Sequence, residues 1–142
     1  MTSIKEAAGI YLKNSIKVIP TENKQPVISD WGRYITDDID ESVFNRATEI
    51  GILMGGKHNL TCIDVDEKYD LTGTLYKDLI DKLGGLEKKM RINMTRSGGK
   101  HLIFSCKEVC EGNLKLANRH TTDSEKRAYF DRQLSLGKTF EE

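Results

Sequence analysis

The sequence predicts an α+β domain in which a mostly antiparallel sheet is flanked by helices. Stretches with apolar residues at three- and four-residue spacing alternate along the chain with short β-branched runs. The predicted order is α-β-α-β-β-α-β-β-α, and neighbouring strands follow one another through short turns, which is typical of antiparallel pairing. A length of 142 residues suits one domain. We therefore predict a single domain over residues 1–142.

The composition excludes several classes of protein. Lys plus Arg and Asp plus Glu both number 22, so any binding of a polyanion must come from a local basic patch or a metal. No apolar run approaches the roughly 18 residues that span a bilayer, and the N-terminus lacks the pattern of a signal peptide. The cysteines lie in or beside apolar runs, as reduced thiols do. Cys106 and Cys110, with His101 or His120, lack the spacing of a structural zinc site. We therefore expect a cytoplasmic protein without a membrane partner.

The first third of the chain predicts two helices separated by a strand and a loop. Thr2 or Ser3 can cap a first helix, whose apolar positions are Ile4, Ala7, Ala8 and Tyr11. Residues 16–19 alternate as a strand that Pro20 should end, and residues 21–32 have the composition of a polar loop. Thr36 or Asp37 should cap a second helix, whose apolar face comprises Ile39, Val43, Phe44 and Ala47.

The middle of the chain predicts a pair of strands followed by a helix. Residues 49–54 form the first strand, and Gly55-Gly56 should turn the chain into a returning strand over residues 60–66. Thr74 should open the helix, which Gly84-Gly85 should close. The positions expected to face inward on this helix are Leu75, Leu79, Ile80 and Leu83.

The last third predicts a β-hairpin and a final helix. Residues 90–95 and 101–106 alternate as strands, joined by a tight turn at residues 97–100. Thr122 and Glu125 have the spacing of a capping box. This pattern predicts a last helix that ends near Gly137.

The first candidate site is a pair of carboxylates, Asp64 and Asp66, at the end of an apolar strand. Residues two apart on a strand point to the same face about 6.5–7 Å apart, and two such anions repel unless a cation lies between them. Mg²⁺ or Mn²⁺, which prefer oxygen ligands, would suit the pair. The alternative is two exposed acids, solvated or paired with Lys68. The chain's other pair, Asp38 and Asp40, falls in the first turn of a predicted helix, where acids complement the helix dipole.

The second candidate site is the Ser-Gly-Gly-Lys turn and its flanks. Glycines without Cβ atoms let backbone N–H groups turn toward an anion. Ser97 adds a hydroxyl donor, Arg96 and Lys100 add positive charge, and His101 starts the outgoing strand. The alternative is an ordinary hairpin with solvated basic residues. Taken together, the acid pair and the turn predict a site for a metal-bound polyphosphate.

These motifs, in this order, resemble the N-terminal primase–polymerase domain of the archaeo-eukaryotic primase superfamily, in the subgroup of phage and mobile-element replication proteins. The likeness covers about residues 1–119 and leaves residues 120–142 as a helical tail. It rests on Lys24, Pro26 and Trp31, on the strand 50–52 with Gly55-Gly56, on the strand 62–66 and on residues 95–104. The last two segments correspond to the first and second catalytic motifs of the family.

The resemblance implies template-directed nucleotidyl transfer, as in a DNA primase or DNA polymerase. It implies that Asp64 and Asp66 bind Mg²⁺ or Mn²⁺, and that Ser97 and His101 contact the triphosphate of an incoming nucleotide. The catalytic residues would then be Asp64, Asp66 and His101. The implied partners are nucleoside triphosphates, a single-stranded DNA template and a replicative helicase domain or protein.

Members of the family carry a third motif, a further carboxylate on a strand before a Gly-rich segment. Nothing after Cys110 has the pattern of such a strand, since Asp123 falls at a predicted helix start and Asp131 falls within that helix. The resemblance therefore implies the front part of the family's catalytic core. We expect the isolated chain to be poorly active or inactive in nucleotidyl transfer.

Two further points stand apart from the family motifs. Arg96 and Lys100 join the predicted nucleotide-binding residues because of their charge alone. The alternative function is a non-catalytic nucleotide- or nucleic-acid-binding accessory module of a replication protein. An unrelated small α+β domain, whose motifs coincide by accident, is a third alternative.

Overall fold

The computed structural model describes residues 1–68, 70, 72–108, 110, 112 and 120–137. Within them the helices are α1 (Ile4–Lys13), α2 (Thr74–Leu83) and α3 (Asp123–Ser135). The strands are β1 (Val18–Glu22), β2 (Gln25–Pro26), β3 (Glu49–Ile52), β4 (Leu60–Val65), β5 (Arg91–Met94) and β6 (Lys100–Ser105). The predicted α+β class is confirmed. In this described part of the chain, no helix is both long and apolar enough to cross a bilayer.

The chain divides into two compact units. The first comprises Met1–Thr61 with Ser105–Cys110, and the second comprises Cys62–Phe104 with Glu111–Glu142. One three-stranded sheet has the order β2-β1-β3, and the other has the order β4-β6-β5. The prediction of one sheet is therefore wrong.

The turn after β3 explains why β3 and β4 do not form a hairpin. Gly55 and Gly56 both have positive φ angles, of 81° and 67°. A 3-10 turn over Gly56–His58 then carries the chain away from β3. Only one isolated bridge, between Gly55 and Leu60, joins the two segments, so β4 is left to pair with β6.

The first unit is built around α1. Ser3 caps this helix as predicted: its hydroxyl accepts a hydrogen bond from the Glu6 N–H at 3.1 Å, and the Glu6 carboxylate accepts one from the Ser3 N–H at 2.8 Å. The helix packs its buried Ala8 with Val18 and Phe44 in the core of the unit. The surrounding, partly buried apolar residues are Tyr11, Leu12, Ile39, Val43, Ala47, Ile50 and Ile52.

Strand β1 passes through Pro20, although the sequence predicts that this proline ends the strand. The Val27 N–H donates to the Pro20 carbonyl at 3.2 Å, so the backbone of Pro20 faces the short strand β2. Its missing N–H therefore falls where the ladder to β2 ends, which is a position that tolerates proline. Residues 21–32 likewise hold more than a loop, since Thr21 pairs with Pro26 in a β1–β2 hairpin.

The predicted second helix is a single 3-10 turn, Glu41–Phe44. Asp40, rather than Thr36 or Asp37, caps it, because its Oδ1 accepts a hydrogen bond from the Ser42 N–H at 2.8 Å. The late cap leaves room for one turn before the chain reaches β3. The predicted apolar face nonetheless lies against the core, through Ile39, Val43, Phe44 and Ala47.

Two predicted helices of the second unit are confirmed. Helix α2 ends at Gly84 and Gly85, whose φ angles are 57° and 97°, although Leu75 is exposed instead of inward-facing. Thr122 forms the predicted capping box with Glu125 at the start of α3. Residues 113–119 and 138–142, where the family likeness ends and where the chain ends, lie outside the described residues.

Strands β5 and β6 form the predicted hairpin, which orients the residues of the candidate site. Their antiparallel register places Ile92 opposite Leu102 and Asn93 opposite His101. Leu102 is fully buried. Because side chains alternate along a strand, His101 and Asn93 lie on the face opposite to Leu102, where both residues are half-buried.

Candidate functional site

The exposed face of the second unit's sheet brings Asp64 of β4 and His101 of β6 together. The distance from Asp64 Oδ1 to His101 Nε2 is 3.5 Å. The two side chains are 70% and 45% exposed, respectively. Both groups are thus open to a ligand arriving from solvent, and they attract each other when the imidazole is protonated.

Gly99 allows this close approach of the two strands. A Cβ atom added at Gly99 would collide with the Val65 carbonyl oxygen and would lie 3.3 Å from Thr95 Oγ1. Val65 is the residue between the two predicted metal ligands. The Gly-Gly pattern predicts that this glycine serves anion binding, but its contacts give it a packing role between β6 and the end of β4.

Between β5 and β6, Thr95 pairs with Gly99 and encloses a compact three-residue loop, Arg96–Gly98. The Thr95 N–H donates to the Gly99 carbonyl at 2.9 Å, and the Gly98 N–H donates to the Thr95 carbonyl at 3.0 Å. Gly98 has a φ of 89°, as the left-handed position of such loops requires. The Gly98 N–H is therefore engaged within the turn. The Ser97 hydroxyl lies 3.2 Å from that of Thr95, and Arg96 is exposed beside it.

Asp66 directly follows β4 and is held by a local turn. Its Oδ1 accepts a hydrogen bond from the Lys68 N–H at 3.1 Å, as in an Asx turn. Among the described residues, no group of three or more His, Cys, Asp or Glu side chains is arranged to hold a metal ion. The structure thus brings His101 to Asp64, but it does not assemble Asp64, Asp66 and His101 as a three-ligand cage.

Cys62 lies two residues before Asp64 on the same strand. Burial raises the pKa of its thiol, and the negative charge of Asp64 raises that pKa further, while a backbone hydrogen bond from Leu102 acts in the opposite direction. A thiol with a raised pKa is less readily converted to the thiolate, which is the form that binds metals.

Lys100, which is predicted from its charge to bind nucleotide, is engaged elsewhere. Its Nζ lies 2.7 Å from Glu67 Oε2 and 4.7 Å from the centre of the Tyr76 ring. Strand alternation explains the difference, since Lys100 and His101 are consecutive and point to opposite faces of the sheet. The ammonium group of Lys100 therefore links strand β6 to Glu67, in the segment that follows β4, and it does not face Asp64.

Two residues of β5 lie on the candidate face and were missed from the sequence. Asn93 pairs with His101 across the hairpin, and Arg91, two residues earlier, donates from Nε to the Asn93 side-chain oxygen at 3.2 Å. Aligned residues on adjacent strands have Cβ atoms about 5 Å apart. The face therefore runs from a carboxylate through an imidazole to an amide and a guanidinium. The alternation of side chains along the hairpin could have identified them. Counting back from His101 through the turn places Asn93 and Arg91 on the same face as His101.

The donor set fits one kind of metal site and not another. Mg²⁺ sites commonly use one or two carboxylates together with substrate phosphates and waters, rather than a complete cage of protein ligands. The carboxylates of Asp64 and Asp66, both exposed at the end of one strand, suit that arrangement. Together they would hold a divalent ion that offsets phosphate charge.

Comparisons with other proteins do not extend this description. No model of a known protein family matches the chain, and no curated protein or solved structure matches it either.

Proposed function

We propose that this chain binds a nucleoside triphosphate together with Mg²⁺ or Mn²⁺ on the exposed face of β4, β6 and β5, as a domain of the primase–polymerase type. The observation that carries the proposal is the 3.5 Å approach of His101 to Asp64. These two residues belong to two separate motifs that resemble the first and second catalytic motifs of that family.

Each residue has a chemical role in the proposed site. Asp64 and Asp66 hold the divalent ion, which when bound offsets the negative charge of the triphosphate and stabilises the departing pyrophosphate. His101 and Ser97 donate hydrogen bonds to phosphate oxygens, and His101 is kept in position by Asp64. Arg91, exposed on the same sheet face, adds a cation at the far side of the site.

The proposed reaction is template-directed nucleotidyl transfer in DNA replication, with single-stranded DNA and a replicative helicase as partners. A non-catalytic accessory module is the second candidate. The contact that favours this candidate is the 2.7 Å ion pair of Lys100 with Glu67, because it leaves the face with fewer cations for phosphate than the sequence predicts.

Binding of a fluorescent triphosphate, followed by anisotropy with and without Mn²⁺, tests the proposal. We expect the metal to tighten nucleotide binding at least tenfold, and the nucleotide to tighten metal binding by the same factor, since the coupling between two ligands is reciprocal. His101→Ala should weaken triphosphate binding about tenfold, by loss of a charge-assisted hydrogen bond. Triphosphate binding that neither the metal nor His101→Ala changes would overturn the site.

Primer synthesis on a single-stranded template with Mn²⁺ separates the two candidates. Extension products that disappear with Asp64→Asn would support the catalytic form. Metal-dependent triphosphate binding without any extension would support the accessory form. A family member of known activity serves as the positive control for the template.

A further inference from the structure

Two thiols of the first unit, Cys106 and Cys110, lie within contact distance of each other. The Sγ atoms are 3.9 Å apart, with the Cys110 S–H directed at Cys106. Cys110 is exposed, whereas Cys106 is half-buried, and both are free cysteines. A pair of thiols in contact, one of which is open to solvent, has the arrangement that thiol–disulfide exchange needs.

The start of β4 fixes both ends of this pair. The Cys106 N–H donates to the Asn59 carbonyl at 3.2 Å. The Thr61 hydroxyl donates to the Cys110 sulfur at 3.5 Å. The two sulfur atoms are thus positioned by contacts within the same unit and not by their sequence spacing alone.

We infer that Cys106 and Cys110 form a redox-active dithiol, which low-molecular-weight disulfides such as oxidised glutathione convert to an intramolecular disulfide. This inference does not depend on the proposed nucleotide site. Reversible disulfides in reducing compartments are characteristically redox-sensing or catalytic rather than structural.

The reaction balances as two exchange steps. The exposed Cys110 thiolate attacks one sulfur of oxidised glutathione, which forms a mixed disulfide and releases one glutathione thiolate. The Cys106 thiolate then attacks the Cys110 sulfur, which closes the protein disulfide and releases the second glutathione. The protein loses two protons and two electrons, and the oxidant leaves as two molecules of reduced glutathione.

The geometry requires only a small adjustment. A disulfide bond is about 2.05 Å long, so the sulfur atoms, now 3.9 Å apart, must approach by roughly 2 Å. Cys62 provides an internal control. Its side chain is half-buried, whereas Cys110 is exposed, so Cys62 should react more slowly with the same reagent.

The experiment treats the 142-residue chain with oxidised glutathione and follows the intact mass and the cysteine-containing peptides. We expect a product lighter by two hydrogens, whose disulfide joins Cys106 to Cys110 and is reversed by dithiothreitol. Cys62→Ser should behave as the wild type. Cys106→Ser should accumulate the mixed disulfide at Cys110, because the resolving thiol is missing.

Cys110→Ser should lower the rate of glutathione incorporation at least tenfold, because the accessible thiol is lost. Circular dichroism verifies that each variant folds. The reaction of the wild-type chain tests the inference without any substitution. A stable mixed disulfide on the wild-type chain, a disulfide that includes Cys62, or a chain that does not react would each overturn the inference.

Discussion

The chain contains two Asp-x-Asp pairs, and the structure uses them differently. In the first unit, Asp40 caps a 3-10 turn through the Ser42 N–H, and Asp38 lies 3.2 Å from the ammonium of Lys17. In the second unit, Asp64 faces the imidazole of His101 on a neighbouring strand. The second acids behave alike, since Asp66 accepts a hydrogen bond from the Lys68 N–H just as Asp40 does from the Ser42 N–H. The two pairs therefore differ in their first acid, which faces a lysine in one unit and the imidazole of the candidate site in the other.

Asp40 and Asp64 differ because of the backbone that surrounds each of them. Asp40 precedes a turn whose first N–H groups lack partners, so its carboxylate is satisfied by the backbone two residues away. Asp64 lies within a strand, where the neighbouring backbone groups are already paired, so its side chain meets His101 of the neighbouring strand and otherwise faces solvent. The environment of an acid thus decides whether it remains open to a ligand.

Replacing one acid of each pair tests this comparison with the largest expected effect. Asp64→Asn should weaken Mn²⁺-dependent triphosphate binding about 100-fold, since a ligand charge is lost. Asp38→Asn should leave that binding within about twofold of the wild-type value, because exposed ion pairs contribute little. Anisotropy titrations with equal Mn²⁺ measure both. Equal losses in the two variants would mean that the pairs do not differ in function.

Two adjacent glycines sharpen the comparison, because only Gly99 lies against the backbone of Val65, the residue between Asp64 and Asp66. Gly99→Ala should lower the free energy of unfolding by about 1–3 kcal/mol and should also weaken triphosphate binding, since the new Cβ displaces the Val65 carbonyl. Gly98→Ala places a Cβ in open space at a φ of 89°. Gly98→Ala should lower the free energy of unfolding by about 1–2 kcal/mol and should leave triphosphate binding unchanged.

Urea unfolding and anisotropy titration, performed on both glycine variants, separate the two effects. The control is the loss of triphosphate affinity in each variant, compared at the same free energy of unfolding. If Gly98→Ala loses as much binding as Gly99→Ala at equal stability, the contact with Val65 has no special role in holding the acids.

Local signals predicted most of the helices correctly. The capping boxes at Ser3 and Thr122 and the glycines at the end of α2 act on residues within one turn, so their effect is visible in the sequence. The 3-10 turn at residues 41–44 was mispredicted as a helix because its apolar face is the same in either form. The choice depends on Asp40 and on packing with Ala8 and Val18, which are distant in sequence.

The candidate site was predictable only as far as it depends on motifs. The order of the two motifs predicted the approach of His101 to Asp64, but charge alone assigned Lys100 to the same face. Its partners, Glu67 and Tyr76, come from the segment after β4 and from α2. Such a contact depends on how the chain returns to the sheet, and no local pattern encodes it.

Lys100→Met sharpens the distinction between a charge that binds a ligand and one that supports the fold. We expect it to lower the free energy of unfolding by about 2 kcal/mol, the typical contribution of a charged hydrogen bond, because Lys100 and Glu67 are 21% and 11% exposed. Triphosphate affinity should stay within about threefold of the wild-type value. Urea unfolding and anisotropy measure the two quantities, and a tenfold loss of affinity with unchanged stability would return Lys100 to the binding set.

The smallest effect concerns Asp40, the capping acid of the first pair. The hydrogen bond from Ser42 lowers the pKa of the Asp40 carboxyl below its ordinary value. A carboxyl group whose pKa is lower in the folded state stabilises the protein at pH values above its unfolded-state pKa. This stabilisation is lost as the pH falls through the folded-state pKa. Asn caps as well as Asp but does not titrate in this range.

Asp40→Asn should therefore differ most from the wild type near neutral pH and converge with it in acid. The midpoint of thermal unfolding, Tm, measured between pH 7 and roughly pH 2.5 for both proteins, tests this, because an unfolded Asp titrates near pH 3.9. Asp38→Asn is the matched control, since Asp38 is an exposed partner of Lys17 and not a cap. A difference in Tm that grows as the pH is lowered would contradict the sign of the Asp40 shift, and with it the view that this acid is satisfied by the backbone.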